Sequence, residues 1–395
     1  MGKTLEEQVP AEYRGTSFGP KLITFVMYQY YKCRVPHRKI IEMLLEWRIE
    51  ISKGTLCSIL NSNKKEFVED LKSARDAGIK KSSQVHIDDT RAKFNGALAH
   101  TFAVSNEYFT SFTTLFSKNR WSATGAILGG EERFLINSEA ISFIAKKLKR
   151  AKVTVHMSSL KSNHYYSQIE LDKIFEDPVF KDVYKKQRDI IRTACAISAL
   201  RSGGLGPPVR FLISDDARNF KNLVKNHQLC WVHEIRRYKL TELYKEVALD
   251  TLEKLLVQWR KFYNLMKRFR NNQTQKLREK IRSEFDRITS LKTLIRPIDE
   301  QLIKTKSKKE QLLLFLRYPQ LPLHNNLSEN DLRERVLKRK ISLQNRSLKG
   351  VKAWDLMLSL LLICREIGLN FWKYLEDRIS KKEEIHYLGH LTNQL

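Results

Sequence analysis

LPLHNNLSENDLRERVLKRKISLQNRSLKG, residues Leu321 to Gly350, places one carboxylate, Glu329, early in a strongly basic stretch of helical character. Asn325 and Asn326 are turn and cap formers, Ser328 is placed to cap the helix, and Leu332 and Val336 recur at helical spacing as its buried face. The other face carries Arg333, Arg335, Lys338, Arg339 and Lys340, which suits a polyanion lying over a carboxylate site. A lone Glu in that setting calls for further carboxylates elsewhere in the chain.

Two upstream apolar runs of β character each end in a pair of Asp residues. Gln84-Val85-His86-Ile87 leads into Asp88-Asp89, and Val209 to Ser214 leads into Asp215-Asp216. A carboxylate at a strand end sits on a rigid edge facing a cleft. Two strand Asp residues and a helical Glu form the set with which nucleotidyl-transfer enzymes hold two divalent metals. Hard cations take oxygen ligands, and two ions about 3.5–4 Å apart stabilise both the attacking and the leaving oxygen at phosphorus.

Composition suits that chemistry. The 395 residues carry 72 Lys and Arg against 44 Asp and Glu, a formal charge of +28 spread along the chain. Such an excess favours a nucleic-acid partner, although a membrane surface or a ribosome would attract it too. With 42% hydrophobic residues the chain is globular rather than disordered, and its length allows two or three domains. No apolar run is long enough to span a bilayer and no signal-peptide core opens the chain, so the expected setting is cytoplasmic and nucleoid-associated, with no membrane partner. Five scattered cysteines without a CxxC spacing fit a reducing compartment.

Residues 1–19 are polar and read as an arm. Residues 20–80 read as helical: Leu22, Phe25, Val26 and Tyr30 share one face after Pro20, a second helix covers His37 to Trp47, and Ser52 caps a third. This is a helix-turn-helix-like pattern in which Lys53 and Thr55 would enter a DNA groove; an ordinary helical hairpin gives the same pattern. Residues 81–235 switch to strand periodicity. Val85 to Asp89, Leu98 to Val104 and Tyr108 to Leu115, separated by Asn95-Gly96 and Asn106-Glu107, read as a three-stranded antiparallel meander beginning at the first Asp pair. A helix from Ser138 to Arg150 and a strand from Val153 to Met157 follow. After Asp215, leucines and aromatics from Leu249 to Ile288 step by threes and fours, Pro297 closes that stretch, and another helix covers Gln301 to Leu316. Trp354, Met357, Leu358, Leu361 and Ile363 lie on a helix within 321–378, and residues 379–395 read as a tail.

Three blocks carry a resemblance: His86-Ile-Asp-Asp-Thr90; Leu212 to Phe220 (LISDDARNF) with Leu229 to Arg237 (LCWVHEIRR) close behind; and His324 to Arg333 (HNNLSENDLR) with the basic residues after it. Together they resemble the transposase of the insertion-sequence-sixty-six (IS-sixty-six) family of DDE transposases, and Pro10 to Ser58 resembles the region before that family's first Asp. The resemblance implies an α/β fold: a ribonuclease-H-like catalytic core, a mixed sheet flanked by helices, interrupted by an all-helical insertion over 236–320. It selects the first Asp of each pair, giving Asp88, Asp215 and Glu329 as catalytic residues and metal ligands. Asp88 would bridge two Mg²⁺ ions, with Mn²⁺ as a substitute, and Glu334 falls outside the Asn-Asn-Leu-x-Glu block. Asp88 and Asp215 are 215 − 88 = 127 residues apart, longer than the resemblance leads one to expect, so an extra insert is expected within about 121–202.

Cys230 and His233 have a spacing compatible with zinc, but two ligands are not four. The resemblance offers a structural pair near the active site instead, and a buried Cys with a satisfied core His is the plainer reading. Arg236, Arg237, Arg339 and Lys340 flank the catalytic blocks and, with Arg333, are candidate phosphate contacts. The expected partners are the terminal inverted repeats of a mobile element and target DNA. A homodimer or larger assembly on them is expected, and accessory proteins encoded with the element are candidate further partners. Family members often carry a cysteine-containing segment ahead of the helical region; with no Cys before Cys33, that module is expected to be missing or to lie outside this chain. Two other functions fit the same residues: a catalytically inactive DNA-binding protein derived from a transposase, and a nuclease that cuts without joining.

Overall fold

The computed structural model describes residues 18–62, 64–160, 162, 164–240, 246–342 and 345–394; the expected arm lies outside them as far as residue 17. In chain order, helices α1 (Pro20–Tyr31), α2 (His37–Glu46), α3 (Lys53–Asn61) and α4 (Lys65–Ser82) precede strands β1 (Gln84–Phe94), β2 (Ala97–Asn106) and β3 (Phe109–Leu115). Then α5 (Arg120–Ile127), β4 (Phe134–Leu135), α6 (Ser138–Leu148), α7 (Ala151–Ser159), β5 (Tyr165–Tyr166), α8 (Gln168–Ile174) and α9 (Lys185–Arg201) lead to β6 (Phe211–Ser214) and β7 (Asn226–Leu229). Helices α10 (Trp231–Lys239), α11 (Glu246–Asn271), α12 (Gln275–Thr289), α13 (Arg296–Lys306), α14 (Lys309–Leu312), α15 (Asn326–Ser342), α16 (Leu348–Glu366), α17 (Phe371–Ser380) and α18 (Leu388–Gln394) complete the chain.

The fold is mixed α/β, with a mixed five-stranded sheet of order β3-β2-β1-β6-β7 and helices around it. The described residues divide into two compact units, one drawn from Met1–Ser82, Thr90–Phe116 and Asp331–Leu395, the other from Ser83–Asp89 and Ser117–Asn330. The chain passes between them four times: before β1 after Ser82, within β1 after Asp89, beyond β3 after Phe116 and within α15 after Asn330. No helix among the described residues is long and apolar enough to cross a membrane.

In the first unit, β2 and β3 pair antiparallel from His100 opposite Leu115 to Asn106 opposite Phe109. Helix α16 covers β3: Ser359 Oγ accepts from the Phe112 amide at 2.9 Å and Asp355 accepts from the Thr114 amide at 2.7 Å. Helix α3 begins where its cap predicts, with Ser52 Oγ accepting from the Thr55 amide. The expected tail is a packed element. Asp70, fully buried on α4, receives Arg378 Nε at 2.7 Å, the Tyr374 hydroxyl at 2.9 Å and the Leu388 amide at 2.9 Å, which fastens α17 and the start of α18. Leu388 and Thr392 are buried as a result. The polar composition of 379–395 hid this because only a few side chains of the segment face inward.

Helix α15 also departs from the expected pattern. Arg335 and Lys338 point inward rather than toward a polyanion. Arg335 bonds Thr101 and pairs with Asp355 at 3.2 Å, and Lys338 Nζ sits 4.2 Å from the ring centres of both Tyr30 and Trp354. Leu337 and Ile341 are exposed instead. The wall facing the helix offers a carboxylate and two ring faces, so it is complementary to cations. Ser328 is not the cap either: the helix starts at Asn326, and Ser328 Oγ donates back to the Asn325 carbonyl inside the first turn.

The second unit holds the parallel part of the sheet. Gln84, Val85 and His86 lie beside Phe211, Leu212 and Ile213, and β6 runs parallel to β7. Two cores flank it. One gathers Trp231, Trp259, Phe262 and Phe285 from α10–α12; the other packs Phe134, Ile144, Met157, Phe180 and Cys195 from the segment between β3 and β6. Two expectations fail here. Val153 to Met157 is helix α7, not a strand: Val153 and Met157, four apart, are buried while Val155 is exposed, so packing on a helical stripe overrides the β-branched run. Pro297 does not end a helix but stands in the first turn of α13, where its missing N–H is harmless.

Candidate active site

Three acidic side chains of the second unit come from three different elements. Asp88 lies on β1, Asp215 directly follows β6, and Glu329 stands in the first turn of α15. Continuing the parallel register by two residues from His86 beside Ile213 sets Asp88 level with Asp215. Asp88 is not at the end of its strand, as the sequence suggests, because β1 runs on to Phe94. Its carboxyl is nonetheless pushed up to about 7, first by burial and then by the negative fields of Asp215, Asp89 and Glu329, against the Asp89 amide that donates to it at 2.8 Å. Burial also raises Asp215, although the Ala217 amide, His233 and Arg237 pull the other way.

The neighbouring carboxylates are held differently. Asp89 accepts from Asn219 Nδ2 at 3.3 Å and lies 3.8 Å from Lys118 Nζ. Asp216 is ringed by Arg237 at 2.8 Å, Lys221 at 2.9 Å and Lys308 at 3.4 Å. Burial alone would raise Asp216, but those cations outweigh it and hold its carboxyl below the usual range. Asp216 therefore has its charge matched by surrounding cations, whereas Asp88 and Asp215 are raised first by burial and then by neighbouring carboxylates.

Asn325 sets the start of α15, a role the sequence did not disclose beyond a turn former. Its Nδ2 donates to the Ile87 carbonyl at 3.0 Å and its Oδ1 lies 2.9 Å from His86 Nδ1, so His86 is the donor in that pair. Burial pushes His86 down to about 4, which keeps it neutral for the purpose. The Asn325 amide donates to Cys230 Sγ at 3.2 Å, and the Trp231 amide donates to the Leu323 carbonyl at 2.9 Å. Strand β1, the Cys230 turn and the first turn of α15 are thus stitched together.

Cys230 Sγ, a ring nitrogen of His233 and a carboxylate oxygen of Glu329 lie within 4.8 Å of one another. Zinc in a structural site takes four ligands, and this group offers three. His233 Nδ1 and Glu329 Oε1 stand 3.5 Å apart, and each is buried without a hydrogen-bond partner among the described residues. A buried carboxylate oxygen without a donor is costly unless something cationic meets it. Asp88, Asp215 and Glu329 offer the oxygen donors that a hard divalent cation takes, although among the described residues only Cys230, His233 and Glu329 bring their ligand atoms within 4.8 Å of one another.

The expected cationic contacts are scattered. Arg236 is exposed on α10 while Arg237 is engaged with Asp216. In the other unit Lys53 is exposed, the Thr55 hydroxyl is 2.9 Å from Ser52 Oγ, Arg333 and Lys340 are exposed on α15, and Arg339 donates to the Arg91 carbonyl.

The Transposase IS66 family matches residues 15–119 and 192–353, which include Asp88, Asp215 and Glu329 and leave 120–191 unmatched. An uncharacterized protein, y4jO, of Sinorhizobium fredii (strain NBRC 101917 / NGR234) is 32% identical over 308 residues, 77% of this chain and 94% of its own length. On the family match and this identity, the chain belongs to the Transposase IS66 family.

Proposed function

We propose that the protein is a DDE-type DNA transposase with a ribonuclease-H-like core, which cuts at the ends of a mobile element and joins the freed 3′-hydroxyl to target DNA. The observation that carries this reading is the gathering of Asp88, Asp215 and Glu329 from two parallel strands and a helix start, with the buried Asp88 carboxyl raised to about 7 partly by its acidic neighbours. Three carboxylates are held together against repulsion most economically where cations are to be bound.

Asp88, Asp215 and Glu329 would hold two Mg²⁺ ions, with Mn²⁺ able to replace them. Two bound divalent cations supply charge stabilisation for both the entering and the leaving oxygen of a phosphodiester. The chain's own contribution is positional. Asn325 fixes the α15 start against β1, and the cations around Asp216 brace the β6 end that presents Asp215. His233 lies beside Glu329, with Nδ1 3.5 Å from a carboxylate oxygen. The +28 charge attracts DNA, and synapsis of two element ends calls for a dimer or larger assembly on DNA.

The test is incubation with a labelled duplex carrying the element's native end, with Mg²⁺, Mn²⁺ or EDTA, scoring nicked and joined products. Metal-dependent cutting followed by joining supports the reading. Cutting without joining leaves a nuclease, and binding without cutting leaves a DNA-binding protein.

A further inference from the structure

The segment between β3 and β6 has its own core and builds one wall of a cleft of about 400 Å³ in the second unit, a size within the range of ligand pockets. The floor of that cleft is apolar: Trp121 of α5, Phe143 of α6 and Ile190 of α9. Its rim is cationic, with Lys118, Arg120, Lys147, Lys186 and Arg218. The single carboxylate in the lining, Asp189, is engaged by Arg192 at 3.2 Å. Lys147, Lys186 and Arg218 are exposed and have no carboxylate partner among the described residues. The cleft borders Asp89, the neighbour of Asp88: its lining residues Asn219 and Lys118 both meet the Asp89 carboxylate, at 3.3 and 3.8 Å.

An apolar floor with a cationic rim is matched to one chemical class. Duplex DNA presents phosphates and sugars outward and keeps its base faces stacked inside, so it would meet the rim and leave the floor wet. An unpaired strand offers both: base faces that bury against aromatic and aliphatic side chains, and phosphates that meet the lysines and arginines. We propose that this cleft binds an unpaired stretch of DNA strand beside the catalytic carboxylates, bases against Trp121, Phe143 and Ile190 and phosphates on the surrounding cations. The proposal rests on the transposase reading for the identity of the strand. It gives a role to residues 120–191, which lie outside the family match.

The experiment uses the full chain in EDTA, so that nothing is cut, and measures anisotropy of a fluorescein-labelled oligothymidylate and of a duplex of equal length. Lys147→Glu/Lys186→Glu changes the cleft, and Lys261→Glu/Lys276→Glu makes the same charge change on exposed positions of α11 and α12. The expected result is single-strand binding weakened about tenfold or more by the cleft pair relative to the control pair, with duplex binding lowered equally by both. Equal weakening of single-strand binding by the two pairs, or a parallel loss for duplex, overturns it. In a second arm, an oligonucleotide carrying 5-iodouracil is photocrosslinked and the attachment mapped. Attachment at Trp121 or Phe143 is expected, and attachment confined to other residues overturns the cleft.

The two readings fail separately. Strand binding in the cleft with no metal-dependent cutting of DNA would remove the transposase reaction and leave the cleft standing. Metal-dependent cutting with unaltered single-strand binding in the cleft variant would remove the cleft alone.

Discussion

Asn325 donates its side-chain amide to the carbonyl of Ile87 at 3.0 Å, the residue immediately before Asp88, from a position one turn ahead of Glu329. Two candidate ligands far apart in sequence are thereby held by one buried amide. Asn325→Ala removes that bond and the one to His86, leaving a buried carbonyl and a ring nitrogen unpaired, at a cost of about 1–3 kcal/mol. The expected variant folds, melts earlier, and loses cutting activity far beyond its loss of stability, because Glu329 is no longer positioned. Thermal melts and cleavage rates measured on the same preparation check this; activity near wild type would show that the α15 start is held by other contacts.

Asp215 and Asp216 are adjacent but should respond oppositely. Asp215→Asn is expected to abolish metal-dependent cutting, by about a thousandfold or more, with DNA affinity and melting temperature close to wild type. Asp216→Asn should instead lower stability by about 1–3 kcal/mol, because Arg237, Lys221 and Lys308 lose the charge they surround. Chemical denaturation and product assays on both variants separate the roles, and a stable, inactive Asp216→Asn would exchange the assignments.

A pH dependence resides in the first unit. The Thr110 hydroxyl lies 3.0 Å from carboxylate oxygens of both Asp331 and Glu366. Burial, and then the charge of Asp331, pushes Glu366 up to about 8 from an ordinary value of 4.5. Between those two values the folded state holds more protons than the unfolded state, so stability falls as pH rises through that window. Glu366→Gln cannot ionise and should gain on wild type across it, by on the order of a few kcal/mol by pH 8. Denaturant melts from pH 5 to pH 9 give the answer; parallel profiles for the two proteins would rule out Glu366 as the source.

Asp70 is the tie between α4, α17 and α18, fully buried and bonded to Arg378, Tyr374 and the Leu388 amide. Asp70→Ala leaves Arg378 with Asp377 as its remaining carboxylate, unpairs the buried Tyr374 hydroxyl and the Leu388 amide, and should destabilise the protein by about 1–3 kcal/mol. Hydrogen exchange should show α18 opening first, and its protection left unchanged would mean that the helix is held by other contacts.

Local signals were legible wherever the backbone itself decides. Ser52 with the apolar residues after it announces α3, and Asn95-Gly96 announces the turn between β1 and β2, where Asn95 and Gly96 both adopt positive φ. Signals failed where a distant surface decides. Nothing near Val153 shows that a helix-shaped core awaits it, and nothing near Lys338 shows that the rings of Tyr30 and Trp354 do.

The sequence by itself determined the chemical inventory: three separated acidic blocks, a basic chain, and the resemblance that orders them, since motif spacing and charge are properties of the chain alone. Only the tertiary structure decided how the inventory is used. The parallel register of β1 with β6 sets Asp88 beside Asp215, Arg237, Lys221 and Lys308 surround Asp216, and Asn325 brings the helix of Glu329 to β1. Those choices depend on burial and on partners distant in sequence, and burial is what turns an ordinary carboxyl into one raised to about 7.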